Sequence, residues 1–296
     1  MIILDLIEHE TIWGGHRLAP HTRDKRIGHL YSLITEDEMA TRILNGPHAG
    51  ETFRDYFQVH KAELGMSGYS EFPFVVALVE ACDNLSIQVH PDDKTAQTLE
   101  NQPFGKNESW LFLDTPADGW IFNGCTCNSN VQLRQRFDAM ELDGLADILP
   151  VKPGDYVYVE AGTMHAMTRG CLVYEIEENC NLTYRVYDFD RKDARGRARE
   201  LHIEKAFKAI DVAKKSVAKR YTDSQPITER RYSTELLRDI SAFENTGVEL
   251  ACFTLIDGRF RLDGFEIIPG MSILVMPGVG FSCDVRTAVA ARPRLI

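Results

Sequence analysis

Four residues with metal-binding side chains lie at the ends of stretches that are typical of β-strands. Gln88 and His90 stand two residues apart at the end of LSIQV, and alternation along a strand places such a pair on one face. Glu108 begins the next strand-like stretch, and His165 lies in the turn AGTMHAM. Two imidazoles, a carboxylate and an amide oxygen suit zinc with one open position. The pattern predicts that Gln88, His90, Glu108 and His165 bind one zinc ion per chain.

Other interpretations of these donors stay open at this point. Two histidines and a carboxylate also suit the Fe(II) of an oxygenase, although the additional amide of Gln88 argues against that class. A single histidine is more often an ordinary core or surface residue. We expect this of the other seven, which are His9, His16, His21, His29, His48, His60 and His202.

Two cations are candidates for contact with a substrate. Arg185 lies in TYRVYDF among residues expected to be packed, and a guanidinium in such a setting needs an anionic partner or ligand. An ion pair with Asp188 or Asp190 is the alternative. Lys106 comes two residues before Glu108 and shares its face if the strand begins there; the alternative is a solvated lysine in a turn. If both cations face the metal site, they would favour an anionic ligand.

The overall charge of the chain excludes some classes of partner. The sequence has 33 Lys and Arg residues against 44 Asp and Glu residues, a formal net charge of −11. A chain this acidic lacks the positive field of a general nucleic-acid binder or of a protein that docks on anionic membranes. A small anion needs only a local positive field. The densest positive stretch, 191–199 (RKDARGRAR), is either a solvated loop or a lid over an anion.

Neither a membrane segment nor a secretory signal is predicted. No apolar run approaches the roughly 18 residues of a spanning helix. The N-terminal MIILDLIEHE has no basic region, and Asp5 interrupts its apolar stretch. The seven cysteines are an odd number without regular spacing, which favours reduced thiols. We therefore expect a cytoplasmic protein.

The elements that must position these side chains are predicted to be mainly β. Short β-branched and aromatic stretches alternate with Pro, Gly, Asp and Asn turns, a pattern typical of an antiparallel sandwich or barrel. The predicted strands are 72–80, 85–89, 110–113, 119–122, 156–159, 171–176, 251–256, 259–265, 272–276 and 281–285. Apolar periodicity predicts helices over 52–65, 94–99, 128–149 and 204–213.

A short sequence pattern occurs twice in the chain, and this repeat suggests two related β units. Residues 152–165 (KPGDYVYVEAGTMH) and 268–281 (IPGMSILVMPGVGF) each open a strand with Pro-Gly and carry a second Gly eight positions later. The first copy ends in His165 and the second in Phe281. If the repeat is real, one unit carries a polar site that the other has filled with core. We predict a metal-binding domain with helical inserts over 1–230 and a degenerate β unit over 231–296.

Five motifs in order, together with an N-terminal signature, resemble the type I mannose-6-phosphate isomerases, and the shorter bacterial branch most of all. This resemblance implies a cupin fold, a double-stranded jelly-roll barrel with helical inserts and a second, metal-free β unit. The motifs are LSIQVHPDD (85–93), GKNESW (105–110), PGD…AGTMHA (153–166), LTYRVYDFDR (182–191) and ELHIEKA (200–206), and the signature is IWGGHRLA (12–19).

The resemblance also implies roles for single residues. It implies that His90, Glu108 and His165 bind zinc, with Gln88 as a further ligand. It implies that Arg185 and Lys106 are catalytic and that both contact the substrate, as does Trp13 in the N-terminal signature. The expected protein is a zinc-dependent aldose–ketose isomerase that interconverts mannose 6-phosphate and fructose 6-phosphate through an enediolate, as a monomer or homodimer without nucleic-acid or membrane partners.

The chain departs from the motifs of that family at two positions of interest. Ala77, in FPFVVALVE, stands where relatives usually carry Lys, and His29 lies in IGHLYSL, which replaces a motif that contains an acid and a Trp. These departures support an alternative hypothesis, a catalytically weakened sugar-binding or regulatory homologue that keeps the metal site.

Overall fold

A computed structural model describes residues 1–22, 24–36, 38–141, 144–193, 195–222 and 225–296. The chain is mainly β, as predicted, and its sheets are antiparallel. Within these ranges, no helix combines the length and the apolar character that crossing a membrane requires.

The elements are numbered in chain order. The strands are β1 (Ile2–Ile3), β2 (Ile7–Gly15), β3 (Ile27–Leu33), β4 (Phe74–Glu80), β5 (Ile87–Val89), β6 (Glu108–Asp114), β7 (Trp120–Cys125), β8 (Ala146–Pro150), β9 (Asp155–Val159), β10 (His165–Ala166), β11 (Leu172–Glu178), β12 (Tyr184–Tyr187), β13 (Ala218–Arg220), β14 (Ile227–Thr228), β15 (Tyr232–Glu244), β16 (Ala251–Gly258), β17 (Phe260–Leu262), β18 (Phe265–Ile267), β19 (Ser272–Val275) and β20 (Gly280–Pro293). The helices are α1 (Phe53–His60), α2 (Asp93–Glu100), α3 (Asn130–Asp138) and α4 (Ile203–Ala209).

Internal contacts divide the chain into two compact units. The first unit comprises Met1–Glu8, Leu30–Leu78 and Tyr221–Ile296, and the second comprises His9–His29 and Val79–Arg220. The first unit therefore includes N-terminal segments that the predicted division into 1–230 and 231–296 assigns to the other domain. As a boundary between functional domains, residue 230 stays a prediction.

The first unit is built on a six-stranded antiparallel sheet in the order β1-β19-β16-β20-β15-β14, with β17 and β18 as a separate hairpin. The single strand predicted over 259–265 is wrong, because Asp263 and Gly264 adopt positive φ and turn the chain between β17 and β18. Phe281 packs in the apolar core of this unit, with its ring centroid 5.2 Å from that of Phe253 and 5.6 Å from that of Phe260.

The second unit contains two antiparallel arrays of strands. One sheet has the order β12-β5-β10-β7-β8. The other runs β13-β9-β6-β11 and continues through those parts of β4, β3 and β2 that belong to this unit. The candidate metal ligands come from both arrays, because His165 lies in β10 and Glu108 begins β6.

The helix predicted over 128–149 is correct in its first half and wrong in its second half. Helix α3 begins after the N-cap Ser129, whose side chain accepts a hydrogen bond from the Gln132 N–H, and it ends at Asp138 rather than at residue 149. Met140 has a positive φ of 59°, which a continuing helix does not allow. Residues 146–150 form β8, which pairs with β7. Leu142, part of the apolar stripe that favoured the longer helix, lies outside the described residues.

The repeated sequence pattern has the same backbone geometry in both copies. Gly154 and Gly270, which precede β9 and β19, have φ values of 87° and 95°, and the second glycines, Gly162 and Gly278, also have positive φ. Such conformations favour glycine because a Cβ atom is strained there. The copies differ at their last position, where the first copy supplies a metal-site histidine and the second supplies the core residue Phe281.

Candidate metal centre and active site

Three of the predicted ligands converge in the second unit. The Nε2 atoms of His90 and His165 each lie 3.1 Å from a carboxylate oxygen of Glu108. All three side chains are buried, with at most 2% of their surface exposed, and their ligand atoms lie within 4.8 Å of one another. Tetrahedral zinc ligands with bonds of 2.0–2.1 Å stand about 3.3 Å apart. The spacing of His90, Glu108 and His165 therefore fits a single small cation.

Hydrogen bonds to the backbone orient both imidazoles toward this centre. His90 Nδ1 lies 2.9 Å from the Leu182 carbonyl oxygen, and His165 Nδ1 lies 2.8 Å from that of Thr163. A carbonyl oxygen only accepts, so each Nδ1 donates and each Nε2 is left with a lone pair. Both Nε2 atoms and one Glu108 oxygen are buried without a hydrogen-bond partner. Buried acceptors that face one another need a cation.

The electrostatics of the centre support the same conclusion. Burial, reinforced by the charge of Lys106, lowers the pKa of His90 to about 4, so its imidazole is neutral at pH 7. Burial by itself would raise the pKa of Glu108, but His90 and His165 hold it well below the ordinary value of 4.5. A neutral imidazole and an ionised carboxylate are the forms that bind a metal ion.

Gln88 is the strand neighbour of His165. Among the described residues, its side chain makes no hydrogen bond to His90, Glu108 or His165. Its Cα is paired with those of His165 in β10 and Arg185 in β12, and directly paired residues present their side chains on the same face. Its amide oxygen accepts a hydrogen bond from the Ser86 hydroxyl at 3.2 Å. Gln88 as a metal ligand therefore stays a prediction.

Lys106 is buried, so the alternative of a solvated turn lysine is wrong. Only 7% of the residue is exposed. Its ammonium forms an ion pair with Glu177 and lies 3.6 Å from a Glu108 oxygen. Burial opposes the charge, but Glu177 and Glu108 overcome it and raise the pKa of Lys106 above its ordinary value of 10.5. Lys106 is therefore a permanently charged ammonium beside a candidate metal ligand.

Glu175 and Glu177 are site residues to which the sequence analysis assigned no role. They project from the same face of β11, where Glu177 is paired with Glu108 and Glu175 with Trp110. Trp110 Nε1 donates a hydrogen bond of 2.7 Å to Glu175. Burial, followed by the charges of Glu177 and Glu108, raises the pKa of Glu175 well above 4.5. The sequence signal was the alternation in YEIEE, which places two acids on one face of a strand.

Arg185 lies in the same sheet as His165, separated from it by β5. The alternative of an ion pair with Asp188 or Asp190 is not realised, because Asp188 pairs with Arg191 and Arg199 instead. Burial, and then the like charge of Arg199, lower the pKa of Arg185. Arg185 is one of the residues that line a cavity of about 830 Å³.

Trp13 is buried, with 4% of its surface exposed. Its ring packs edge-on against His29, with the centroids 5.1 Å apart. His29 in turn has its Nε2 atom 3.8 Å from a Glu175 oxygen. Trp13 thus packs near the acidic side of the site, and its contact with a substrate stays a prediction.

Antiparallel strands around a buried His-Glu-His centre define a class of β proteins that could hold a metal ion, and comparisons with known proteins identify the family. A sequence model described as phosphomannose isomerase type I, catalytic domain, matches residues 8–107. The mannose-6-phosphate isomerase ManA of Bacillus subtilis strain 168 is 32% identical over 278 residues, which cover 92% of this chain and 84% of ManA. GmuF of the same strain, named a probable mannose-6-phosphate isomerase, is 35% identical over 215 residues, or 71% of this chain and 68% of GmuF.

A solved structure agrees with these relatives over almost the whole chain. The crystal structure of the mannose 6-phosphate isomerase from Bacillus subtilis superposes with a TM-score of 0.86 at 27% identity and covers 98% of this chain and 99% of its own. The chain belongs to the type I phosphomannose isomerase family. The predicted family and its cupin fold are confirmed.

Proposed function

We propose that this protein interconverts mannose 6-phosphate and fructose 6-phosphate. The observation that carries the proposal is the buried His90–Glu108–His165 centre, with its three acceptor atoms facing one another, in a member of this isomerase family. The reaction moves one proton between two neighbouring carbons of the sugar and passes through an enediolate. It therefore needs stabilisation of negative charge on oxygen and a group that carries a proton.

We propose zinc as the metal ion, held by His90, Glu108 and His165 with Gln88 as a fourth ligand. Two imidazole nitrogens, a carboxylate and an amide oxygen suit Zn²⁺ with one open position. When bound, the ion would act as a Lewis acid toward the oxygens of the sugar that become negatively charged.

The charged residues around the centre have complementary roles in this proposal. Lys106 carries a fixed positive charge 3.6 Å from Glu108 and would stabilise negative charge that develops on the substrate. Arg185, which lines the cavity, would orient the sugar phosphate. Glu175 is a candidate proton carrier, because burial raises its pKa above the ordinary value of a carboxylic acid and it is not one of the proposed ligands.

Substitution of His165 by alanine tests this function. His165→Ala removes one ligand atom from a buried centre, so we expect loss of bound zinc and loss of isomerisation of mannose 6-phosphate in a coupled assay. The matched control is His21→Ala, because His21 is exposed and lies outside the centre; it should keep both. Full turnover by His165→Ala without bound metal would show that the centre is not the catalytic site.

The alternative hypothesis, a catalytically weakened sugar-binding homologue, predicts a different result for the wild-type protein. It is motivated by Ala77, which is buried in β4 and carries no charge. Under this alternative, the wild type binds zinc and the sugar phosphate without measurable turnover. Isomerisation of mannose 6-phosphate by the pure wild-type protein would reject it.

A further inference from the structure

The cavity that contains Arg185 is lined mostly by cations. Its volume is about 830 Å³, and all of its lining residues belong to the second unit. Two acids line it, Glu10 and Asp193. The cationic lining residues are Arg26, Arg185, Lys192, Arg195, Arg197 and Arg199. In a chain with a net charge of −11, such a concentration of positive charge points to an anionic ligand.

Three of these cations are already neutralised by carboxylates. Arg26 pairs with Asp83 at 2.6 Å, and Arg197 pairs with Asp193 at 2.8 Å. Arg199 donates two hydrogen bonds to Asp188, at 2.8 and 2.6 Å. These pairs fix the positions of the arginines in the wall of the cavity.

The other three cations have no such partner. Among the described residues, the side chains of Arg185, Lys192 and Arg195 make no ion pair within 4.0 Å and no hydrogen bond. Glu10 is the lining acid that is not used by the three pairs. Three cations and one carboxylate leave an excess of two positive charges among the lining residues, and Arg191, which shares Asp188 with Arg199, adds a third beside them. This excess is enough to balance the charge of about −2 on a phosphate monoester at pH 7.

The cavity is connected to the metal centre through two of its lining residues. Arg185 is paired across β12 and β5 with Gln88, which is itself paired with the metal-site residue His165. His9 stacks on His29, with the ring centroids 5.7 Å apart, and His29 lies beside Glu175. These contacts place the lining residues Arg185 and His9 near the candidate centre, as binding of the two ends of one sugar phosphate requires.

We propose that this cavity binds the phosphate group of the substrate and that Lys192 and Arg195 are its specificity-determining ligands. The ion-paired arginines Arg26, Arg197 and Arg199 line the same cavity. This inference rests on the proposed isomerase function, since it assigns one end of the substrate to the stretch 191–199. It gives that stretch a role in selecting phosphorylated over free sugars.

Substitution of the two unpaired surface cations tests the inference. Each charge-assisted contact with phosphate is worth about a tenfold change in affinity. We expect Lys192→Ala and Arg195→Ala each to raise KM for mannose 6-phosphate about tenfold and the double variant to raise it about a hundredfold, with kcat within about twofold. The matched controls are Lys219→Ala and Arg238→Ala, because both residues are exposed and line no part of the cavity. A KM within twofold of wild type in the double variant would overturn the inference.

A binding measurement separates this inference from the proposed function. Inorganic phosphate is added to the metal-loaded wild type and double variant, and binding is followed by ³¹P NMR, with mannose as the unphosphorylated probe. We expect the wild type to bind phosphate, the double variant to bind it at least tenfold more weakly, and neither to bind mannose comparably. If the proteins show this difference in phosphate binding but the wild type does not isomerise mannose 6-phosphate, the result supports the anion site and rejects the proposed activity. Isomerisation with equal phosphate binding by both proteins would reject the anion site alone.

Discussion

Replacing Lys106 by methionine would remove a buried ammonium from between carboxylates. The ammonium pairs with Glu177 and lies 3.6 Å from Glu108. Carboxylate oxygens of Glu108, Glu175 and Glu177 come within 4.8 Å of one another. Methionine has nearly the length of lysine but no charge, so the substitution tests the charge rather than the packing.

The expected loss follows from the distances. At an effective dielectric constant of about 20, unit charges 3.6 Å apart attract by about 4.6 kcal/mol. Truncation of one partner of a buried ion pair costs about 3–5 kcal/mol, because the other charge is left buried and unpaired. We expect Lys106→Met to lower the free energy of unfolding by that amount, a large part of the 5–15 kcal/mol typical of a domain.

Urea denaturation of wild type, Lys106→Met, Glu177→Gln and the double variant, each without metal, measures this loss. The double variant should recover at least half of the loss, since it lacks both charges of the pair. Lys219→Met is the control for a lysine on the surface, and it should change stability by less than about 0.5 kcal/mol. A Lys106→Met protein as stable as the wild type would refute the buried ion pair.

Two further predictions concern other parts of the protein. Burial raises the pKa of Asp188, but hydrogen bonds from Arg199 and Arg191 outweigh it and bring the pKa below 3.8. A lowered folded-state pKa stabilises the protein above the unfolded value, and this stabilisation is lost as the pH falls through the folded pKa. Asp188→Asn should therefore cost about 1.5–3 kcal/mol at pH 7 and progressively less as the pH is lowered below 3.8. Urea denaturation over a series of pH values would show this, and a cost that does not change with pH would contradict it. Phe281→Ala should cost about 3–5 kcal/mol in thermal denaturation while metal content stays unchanged, and loss of metal would argue against a purely apolar role for the second copy of the repeat.

Much of the site could be predicted because its residues lie in short, ordered motifs. Strand alternation placed Gln88 and His90 together, and the chemistry of the donors indicated a metal ion before any fold was known. Lys106 was correctly placed near Glu108, although the sequence left a solvated position open. Its burial as a charged group depends on Glu177, which lies 71 residues later in β11, and such long-range pairing has no local signal.

The misassigned elements have similar physical causes. Residues 146–150 carry apolar side chains at spacings that also fit a helix, and only their pairing with β7 decides for a strand. No strand was predicted before residue 72, yet the N-terminal part of the chain forms β2 and β3, whose register is set by neighbouring strands. The sequence also could not show that Asp188 forms ion pairs with Arg191 and Arg199 rather than with Arg185, because the choice among these arginines is made only in the folded chain.

The central claim is that His90, Glu108 and His165 form a zinc centre on which isomerisation depends. The most direct measurement is metal analysis beside a coupled assay on mannose 6-phosphate, before chelation, after chelation and after zinc is restored. We predict one zinc ion per chain, loss of activity with the metal, and recovery with added zinc. Full turnover by protein shown to be free of metal would contradict the claim.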